Sequence, residues 1–92
     1  LSGAPKIRAL EIISELENLN RGVYGGGIGF LRFNEDILLA ILIRSAIFIK
    51  DKAFIASGAG IVIKSDNEKE YEEIKSKRQS LLYAFECLGA KI

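Results

Sequence analysis

The residue with the clearest chemical implication is Arg44, which lies in the apolar stretch ILLAILIRSAIFI between Ile37 and Ile49. Arg44 is the only charged residue in this stretch. A guanidinium group stays protonated in proteins, and burying it without a partner costs many kcal/mol. The stretch therefore predicts an anion close to Arg44: the acidic group of a ligand or, as the alternative, an acidic side chain on a covering helix.

Two glycine-rich segments, Tyr24–Gly27 and Gly58-Ala59-Gly60, are the second candidate feature. Glycine weakens a strand, so it is expected inside one where a ligand or another backbone must come close. Turns and bulges are the alternative explanation for these glycines. The first segment lacks the GxGxxG spacing and leads into a strand, which argues against a phosphate-binding loop.

Hairpin register connects Arg44 to both segments. If Asp51 and Lys52 form a two-residue loop, antiparallel pairing places Arg44 opposite Ala59. If residues 34–36 form the preceding loop, the same count places Arg44 opposite Gly26. The sequence thus predicts that Arg44 lies between the two glycine-rich segments.

Glu70 and Glu73 form a pair of carboxylates at i, i+3 spacing, on one flank of the predicted last helix. If this helix folds back on the sheet, both side chains come level with Gly60. Carboxylate oxygens suit a hard cation such as Mg²⁺, held jointly with the oxygens of a ligand. The alternative is a solvated acidic face near the positive end of the helix dipole.

The elements that position these residues follow from apolar periodicity and from turn residues. The predicted fold class is α+β: a helix, a three-stranded antiparallel sheet and a second helix. Ser65 and Glu68 have capping-box spacing at the start of the last helix, and Gly89 is suited to its end. The predicted ranges are residues 5–18 for the first helix, 28–33, 37–50 and 53–63 for the strands, and 65–88 for the second helix.

Composition narrows the function classes. The chain has 92 residues, enough for one small domain, and a net charge of +1, which argues against nucleic-acid binding through bulk charge. It has no histidine, and its single cysteine allows no internal disulfide.

The longest apolar stretch is shorter than the ~20 residues that span a bilayer. The N-terminal segment lacks the apolar core of a signal peptide, so we expect a cytoplasmic protein without membrane contact.

Five ordered segments carry a family resemblance: SGAPKIRA from Ser2, RGVYGG from Arg21, Ile43-Arg44, GAGIV from Gly58 and EKEYEE from Glu68. In this order they resemble the C-terminal portion of the chorismate-utilising enzymes, most closely the branch of anthranilate synthase component I. Nearly the whole chain takes part in the resemblance.

The resemblance implies chorismate as substrate and Mg²⁺ as cofactor. It implies that Tyr24, Arg44 and the backbone of Gly58, Ala59 and Gly60 contact chorismate. Glu73 is implied as a Mg²⁺ ligand, with Glu70 close to the metal. The implied reaction uses ammonia from a glutamine amidotransferase subunit and yields anthranilate and pyruvate, a step of tryptophan biosynthesis.

The chain departs from the family pattern at Phe30, Ser45, Lys64 and Asn67, none of which is an implied site residue. Family members are several times longer. We therefore expect residues 1–92 to be a C-terminal fragment of a chorismate-binding catalytic domain, inactive without the preceding part of its own chain. The high hydrophobic fraction, 49%, agrees with apolar faces that meet this missing part. The alternatives are aminodeoxychorismate synthase component I, and a non-catalytic module that binds a carboxylate or oligomerises.

Overall fold

The computed structural model describes residues 1–89. Within this range the chain forms two helices and two small antiparallel sheets, so the α+β class is confirmed. It divides into two compact units, the first being Leu1–Ile43 and the second beginning at Arg44. In chain order the elements are α1 (Lys6–Leu16), β1 (Gly27–Leu31), β2 (Ile37–Ile41), β3 (Ala46–Ile49), β4 (Lys52–Ile55) and α2 (Asn67–Cys87).

The first unit consists of α1 and the β1–β2 hairpin. Strand β1 pairs with β2 in the register Gly27↔Ile41 to Leu31↔Ile37. Gly29 is required by this pairing, because a Cβ atom built on it would lie 1.9 Å from the carbonyl oxygen of Leu38. The two backbones therefore approach more closely at Gly29 than a side chain would permit.

The second unit consists of the β3–β4 hairpin and α2. Helix α2 begins after Asp66, whose side chain accepts a hydrogen bond from the backbone N–H of Lys69 at 2.9 Å. The predicted cap, Ser65, instead accepts from the N–H of Val62 at 2.9 Å, so the capping-box prediction is wrong by one residue. The predicted helix end is confirmed, since Gly89 has a φ of 87° directly after the last turn.

The predicted three-stranded sheet is wrong, because the predicted strand 37–50 is two strands separated by residues 42–45. The backbone turns sharply where the N–H of Ile43 donates to the carbonyl oxygen of Ile41 at 3.0 Å. Arg44 then has a φ of 50°, in the left-handed region that a strand residue cannot adopt. The predicted strand 53–63 is likewise shorter, since β4 ends at Ile55.

No hydrophobic side chain is fully buried among residues 1–89. On the β1–β2 hairpin, for example, Phe30 is 70% exposed and Leu38 66% exposed. Large apolar side chains gain stability when they are covered, so these hairpin faces agree with the expectation of faces that meet a further part of the protein. No helix in residues 1–89 combines the length and hydropathy of a membrane-spanning segment.

Candidate functional site

Tyr24 is held in a turn followed by a β-bulge. The N–H of Gly26 donates to the carbonyl oxygen of Val23 at 3.1 Å, which closes a four-residue turn with Tyr24 at its second position. Gly25, at the third position, has a φ of 76°, as a type II turn requires. Gly25 and Gly26 together face Leu42, which accepts from Gly25 N and donates to Gly26 O, both at 2.9 Å. This is a G1 bulge, a feature over-represented next to active sites.

The predicted register of this hairpin is wrong by two residues. Ile37 pairs with Leu31 instead of Phe33, because residues 32–36 connect the two strands where a loop of 34–36 was predicted. At the other end of the hairpin, Leu42 lies opposite Gly25 and Gly26. Arg44 is therefore not paired with Gly26. For the first glycine-rich segment, the alternative explanation of turns and bulges accounts for Gly25 and Gly26.

Arg21 fastens the start of the Tyr24 turn to helix α1. Its Nε and Nη2 donate to the two carboxylate oxygens of Glu17, at 2.9 and 2.6 Å, and its Nη1 donates to the carbonyl oxygen of Leu1 at 2.7 Å. Hydrogen bonding to Arg21 lowers the pKa of Glu17, although partial burial opposes the shift. The pKa of Arg21 is raised, mainly by the same hydrogen bonds and further by the charges of Glu17 and Tyr24.

Arg44 is exposed at the start of the second unit, and it forms no ion pair with an acidic side chain of residues 1–89. The alternative of a structural salt bridge is therefore not seen in this part of the chain. The predicted pairing of Arg44 with Ala59 is wrong. The hairpin loop is Lys50-Asp51, with Lys50 at a φ of 55°, so β3 and β4 pair as Ile49↔Lys52 and their ladder ends at Ile55.

The segment Gly58-Ala59-Gly60 follows β4 and is held by helix α2 instead of by a strand. The hydroxyl of Ser57 donates to the carbonyl oxygen of Ile74 at 2.9 Å. One turn further along the helix, Nζ of Lys77 donates to the carbonyl oxygen of Gly58 at 3.1 Å. Gly60 is exposed, and a Cβ built on it would meet no atom within 4 Å, so its backbone is open to a ligand.

The same lysine connects this segment to a predicted metal ligand. Nζ of Lys77 lies 2.6 Å from Oε1 of Glu73, so one ammonium group contacts both Glu73 and Gly58. The last helix thus returns alongside Ser57 and Gly58, whereas the predicted placement of Glu70 and Glu73 level with Gly60 stays a prediction. Lys77 was absent from the sequence-based prediction, although its i, i+4 spacing from Glu73 is the spacing of a helical ion pair.

The donors for a cation in this unit are carboxylates. Glu70 is half-buried one turn before Glu73, whose side chain is 51% exposed. Residues 1–89 contain no cluster of three or more histidine, cysteine, aspartate or glutamate side chains that could hold a metal. The donor type fits Mg²⁺, which commonly uses one or two carboxylates and completes its shell with water and ligand oxygens.

The geometry thus gathers Gly58, Lys77 and Glu73 in the second unit, with Arg44 at its first position, and it fixes Tyr24 in the first unit. Comparison with known proteins agrees with the family resemblance. The family model described as chorismate binding enzyme matches residues 1–83. No solved structure matches the chain.

Several curated relatives named anthranilate synthase component 1 are similar to nearly the whole chain. The relative from Acetivibrio thermocellus is 53% identical over 89 residues, which is 97% of this chain and 18% of the relative. That from Aquifex aeolicus is 46% identical over 86 residues, 94% of this chain and 17% of the relative. That from Haloarcula marismortui, named anthranilate synthase component 1 2, is 50% identical over 90 residues, again 94% and 17%.

The chain therefore spans less than a fifth of the length of these relatives. The similarity covers all five segments that carry the resemblance, including the turn of Tyr24, Arg44, the glycines from Gly58 and the acidic start of α2. From these matches, the chain belongs to the family of chorismate binding enzymes.

Proposed function

We propose that this chain is part of an anthranilate synthase component 1 and supplies a portion of its chorismate and Mg²⁺ site. The observation that carries the proposal is the contact of Lys77 with both Gly58 and Glu73. It brings a backbone segment open to a ligand next to a carboxylate suited to a cation. The family match supports chorismate as the ligand.

Arg44 is proposed to bind a carboxylate of chorismate. Its exposed guanidinium has five donors in a planar fork, which matches the two oxygens of a carboxylate. Tyr24 and the backbone of Gly58, Ala59 and Gly60 are proposed as further substrate contacts. The turn and bulge around Tyr24, and the attachment of Gly58 to α2, limit the freedom of these groups before a ligand binds.

Glu73 and Glu70 are the residues that would hold Mg²⁺. When bound, the cation would neutralise a substrate carboxylate and supply a positive charge beside the reacting ring. Glu73 keeps Oε2 available while Oε1 contacts Lys77. The remaining ligands would come from substrate oxygens, water and residues outside 1–89.

In the proposed reaction, ammonia adds to the ring of chorismate and the ring hydroxyl leaves. Elimination of pyruvate then gives the aromatic product anthranilate. The names of the relatives designate a component, which supports a second subunit. We propose that this subunit is a glutamine amidotransferase that supplies the ammonia. We also propose that the product enters tryptophan biosynthesis and that the protein acts in the cytoplasm.

The proposal is tested by supplying the full-length protein with chorismate, ammonium and Mg²⁺. Anthranilate fluorescence, with equimolar pyruvate measured by mass spectrometry, is the expected result. Aminodeoxychorismate as the product would replace the anthranilate assignment with the related synthase. We also expect the purified 92-residue chain to be inactive under the same conditions, and anthranilate formation by that chain would contradict its assignment as a fragment.

A substitution of Arg44 separates the enzyme from a non-catalytic module. In the full-length protein, Arg44→Ala should raise the Michaelis constant for chorismate or abolish turnover. Arg78→Ala is the matched control, because Arg78 is an exposed arginine on α2 that is not one of the implied contacts. If Arg44→Ala changes thermal stability but leaves turnover and Michaelis constant at control values, the proposed role of Arg44 is wrong.

A further inference from the structure

Arg21 makes contacts with three separate parts of the first unit. Its guanidinium forms a two-pronged pair with Glu17, the residue that follows α1, at 2.9 and 2.6 Å. A third donor reaches the carbonyl oxygen of Leu1 at 2.7 Å, in the segment that precedes α1. The backbone carbonyl oxygen of Arg21 accepts a hydrogen bond from the N–H of Tyr24 at 3.1 Å. Arg21 therefore connects both flanks of α1 to the turn that carries Tyr24.

The turn beyond Arg21 is fixed at its other end. Gly25 is hydrogen-bonded to Leu42 at 2.9 Å and is the only buried residue among residues 1–89. Tyr24 thus lies between two anchors, the guanidinium network of Arg21 and the bulge at Gly25. The bulge is a property of the backbone, whereas the Arg21 anchor depends on one side chain and can be removed by substitution.

We propose that Arg21 is a positioning residue, which sets the placement of Tyr24 through its three-point attachment to Glu17 and Leu1. The proposal rests on the proposed function, in which Tyr24 contacts chorismate. Lysine cannot reproduce this attachment, since an ammonium group lacks the planar fork.

The test is a double-mutant cycle in the full-length protein with Arg21→Lys, Tyr24→Phe and the double variant. Arg8→Lys is the matched control, because Arg8 also pairs with acidic side chains on α1, Glu11 at 2.9 Å and Glu15 at 3.6 Å. The Michaelis constant for chorismate, the turnover number and the melting temperature are measured for each. Arg21→Lys should raise the Michaelis constant about fivefold, an effect of the size seen for coupled residues in one network.

The decisive quantity is the coupling between the two substitutions. If Arg21 acts through Tyr24, Arg21→Lys has little further effect on the Michaelis constant once Tyr24→Phe is present. A purely structural role would lower the melting temperature and leave the effects on the Michaelis constant additive. Full additivity, or an effect no larger than that of Arg8→Lys, overturns the proposal.

Failure of the underlying function has a different signature. If Tyr24→Phe alone leaves the Michaelis constant unchanged, Tyr24 is not a substrate contact, and both that assignment and the role of Arg21 are overturned. If Tyr24→Phe raises the Michaelis constant and Arg21→Lys raises it by its full factor again in the double variant, only the role of Arg21 is overturned. Glu17→Gln provides a second variant, which should reproduce part of the Arg21→Lys effect because it keeps an acceptor but loses the charge.

Discussion

The ammonium group of Lys77 lies 2.6 Å from the carboxylate of Glu73, four residues before it on helix α2. Most ion pairs at this spacing lie on the solvated face of a helix and contribute little to stability. This one differs because the same ammonium group donates to the carbonyl oxygen of Gly58 at 3.1 Å. The pair therefore connects the helix to the glycine segment that we propose to contact chorismate.

Replacing Glu73 should weaken the use of Mg²⁺. In the full-length protein, Glu73→Gln removes a charged oxygen donor, and we expect the Mg²⁺ concentration for half-maximal anthranilate formation to rise about tenfold or more. Glu72→Gln is the control, since Glu72 also pairs with a lysine, Lys75, at 2.6 Å on the same helix. A Mg²⁺ titration of Glu73→Gln that coincides with that of Glu72→Gln would exclude Glu73 as a metal ligand.

Replacing Lys77 should loosen the glycine segment. Lys77→Met keeps the length of the side chain but removes the hydrogen bond to Gly58, so backbone amides from Ser57 to Gly60 should exchange faster with solvent. The measurement is hydrogen–deuterium exchange of the full-length protein, read by mass spectrometry. Lys75→Met, which disrupts the pair with Glu72, is expected to leave this segment unchanged. Equal exchange in both variants would mean that Lys77 does not hold the segment.

Replacing Gly25 should destabilise the turn of Tyr24. Gly25 has a φ of 76°, where an L-residue costs about 1–2 kcal/mol, so Gly25→Ala should lower the free energy of unfolding by about this amount. Gly27→Ala is the control, because a Cβ on Gly27 meets no atom within 4 Å and its φ is not in the left-handed region. Chemical denaturation of the full-length variants measures the difference. Equal losses for both would contradict the bulge at Gly25.

The Glu17–Arg21 pair should make stability depend on pH in the acidic range. The pKa of Glu17 is lowered in the folded chain, so the pair stabilises the protein above the ordinary pKa of 4.5. This contribution is lost as the pH falls below that value, because protonated Glu17 no longer attracts the guanidinium. The melting temperature of the full-length protein should exceed that of Glu17→Gln near neutral pH, and the difference should shrink as the pH falls below 4.5. A difference that stays constant with pH would show that charge is not the cause.

The sequence by itself determined the two helices and the family. Apolar periodicity at 3.6 residues and a glycine after the last turn depend only on neighbouring residues, so α2 and its end at Gly89 were predictable, although its cap was predicted one residue too early. The five ordered segments indicated the family before any geometry was known. The same segments implied the candidate site residues, which are Tyr24, Arg44, the glycines from Gly58, and the pair of Glu70 and Glu73.

Only the tertiary structure decided how these residues are held. Two-residue alternation cannot set the length of a hairpin loop or locate a left-handed residue. The connection of residues 32–36 shifts the register of the first hairpin by two, and the predicted strand is divided at residues 42–45, where Arg44 has a φ of 50°. The contact of Lys77 with Gly58 joins residues 19 positions apart, and no local pattern specifies it. The order and spacing of residues along the chain thus identified the candidate site residues, whereas the tertiary structure determined which of them lie in contact.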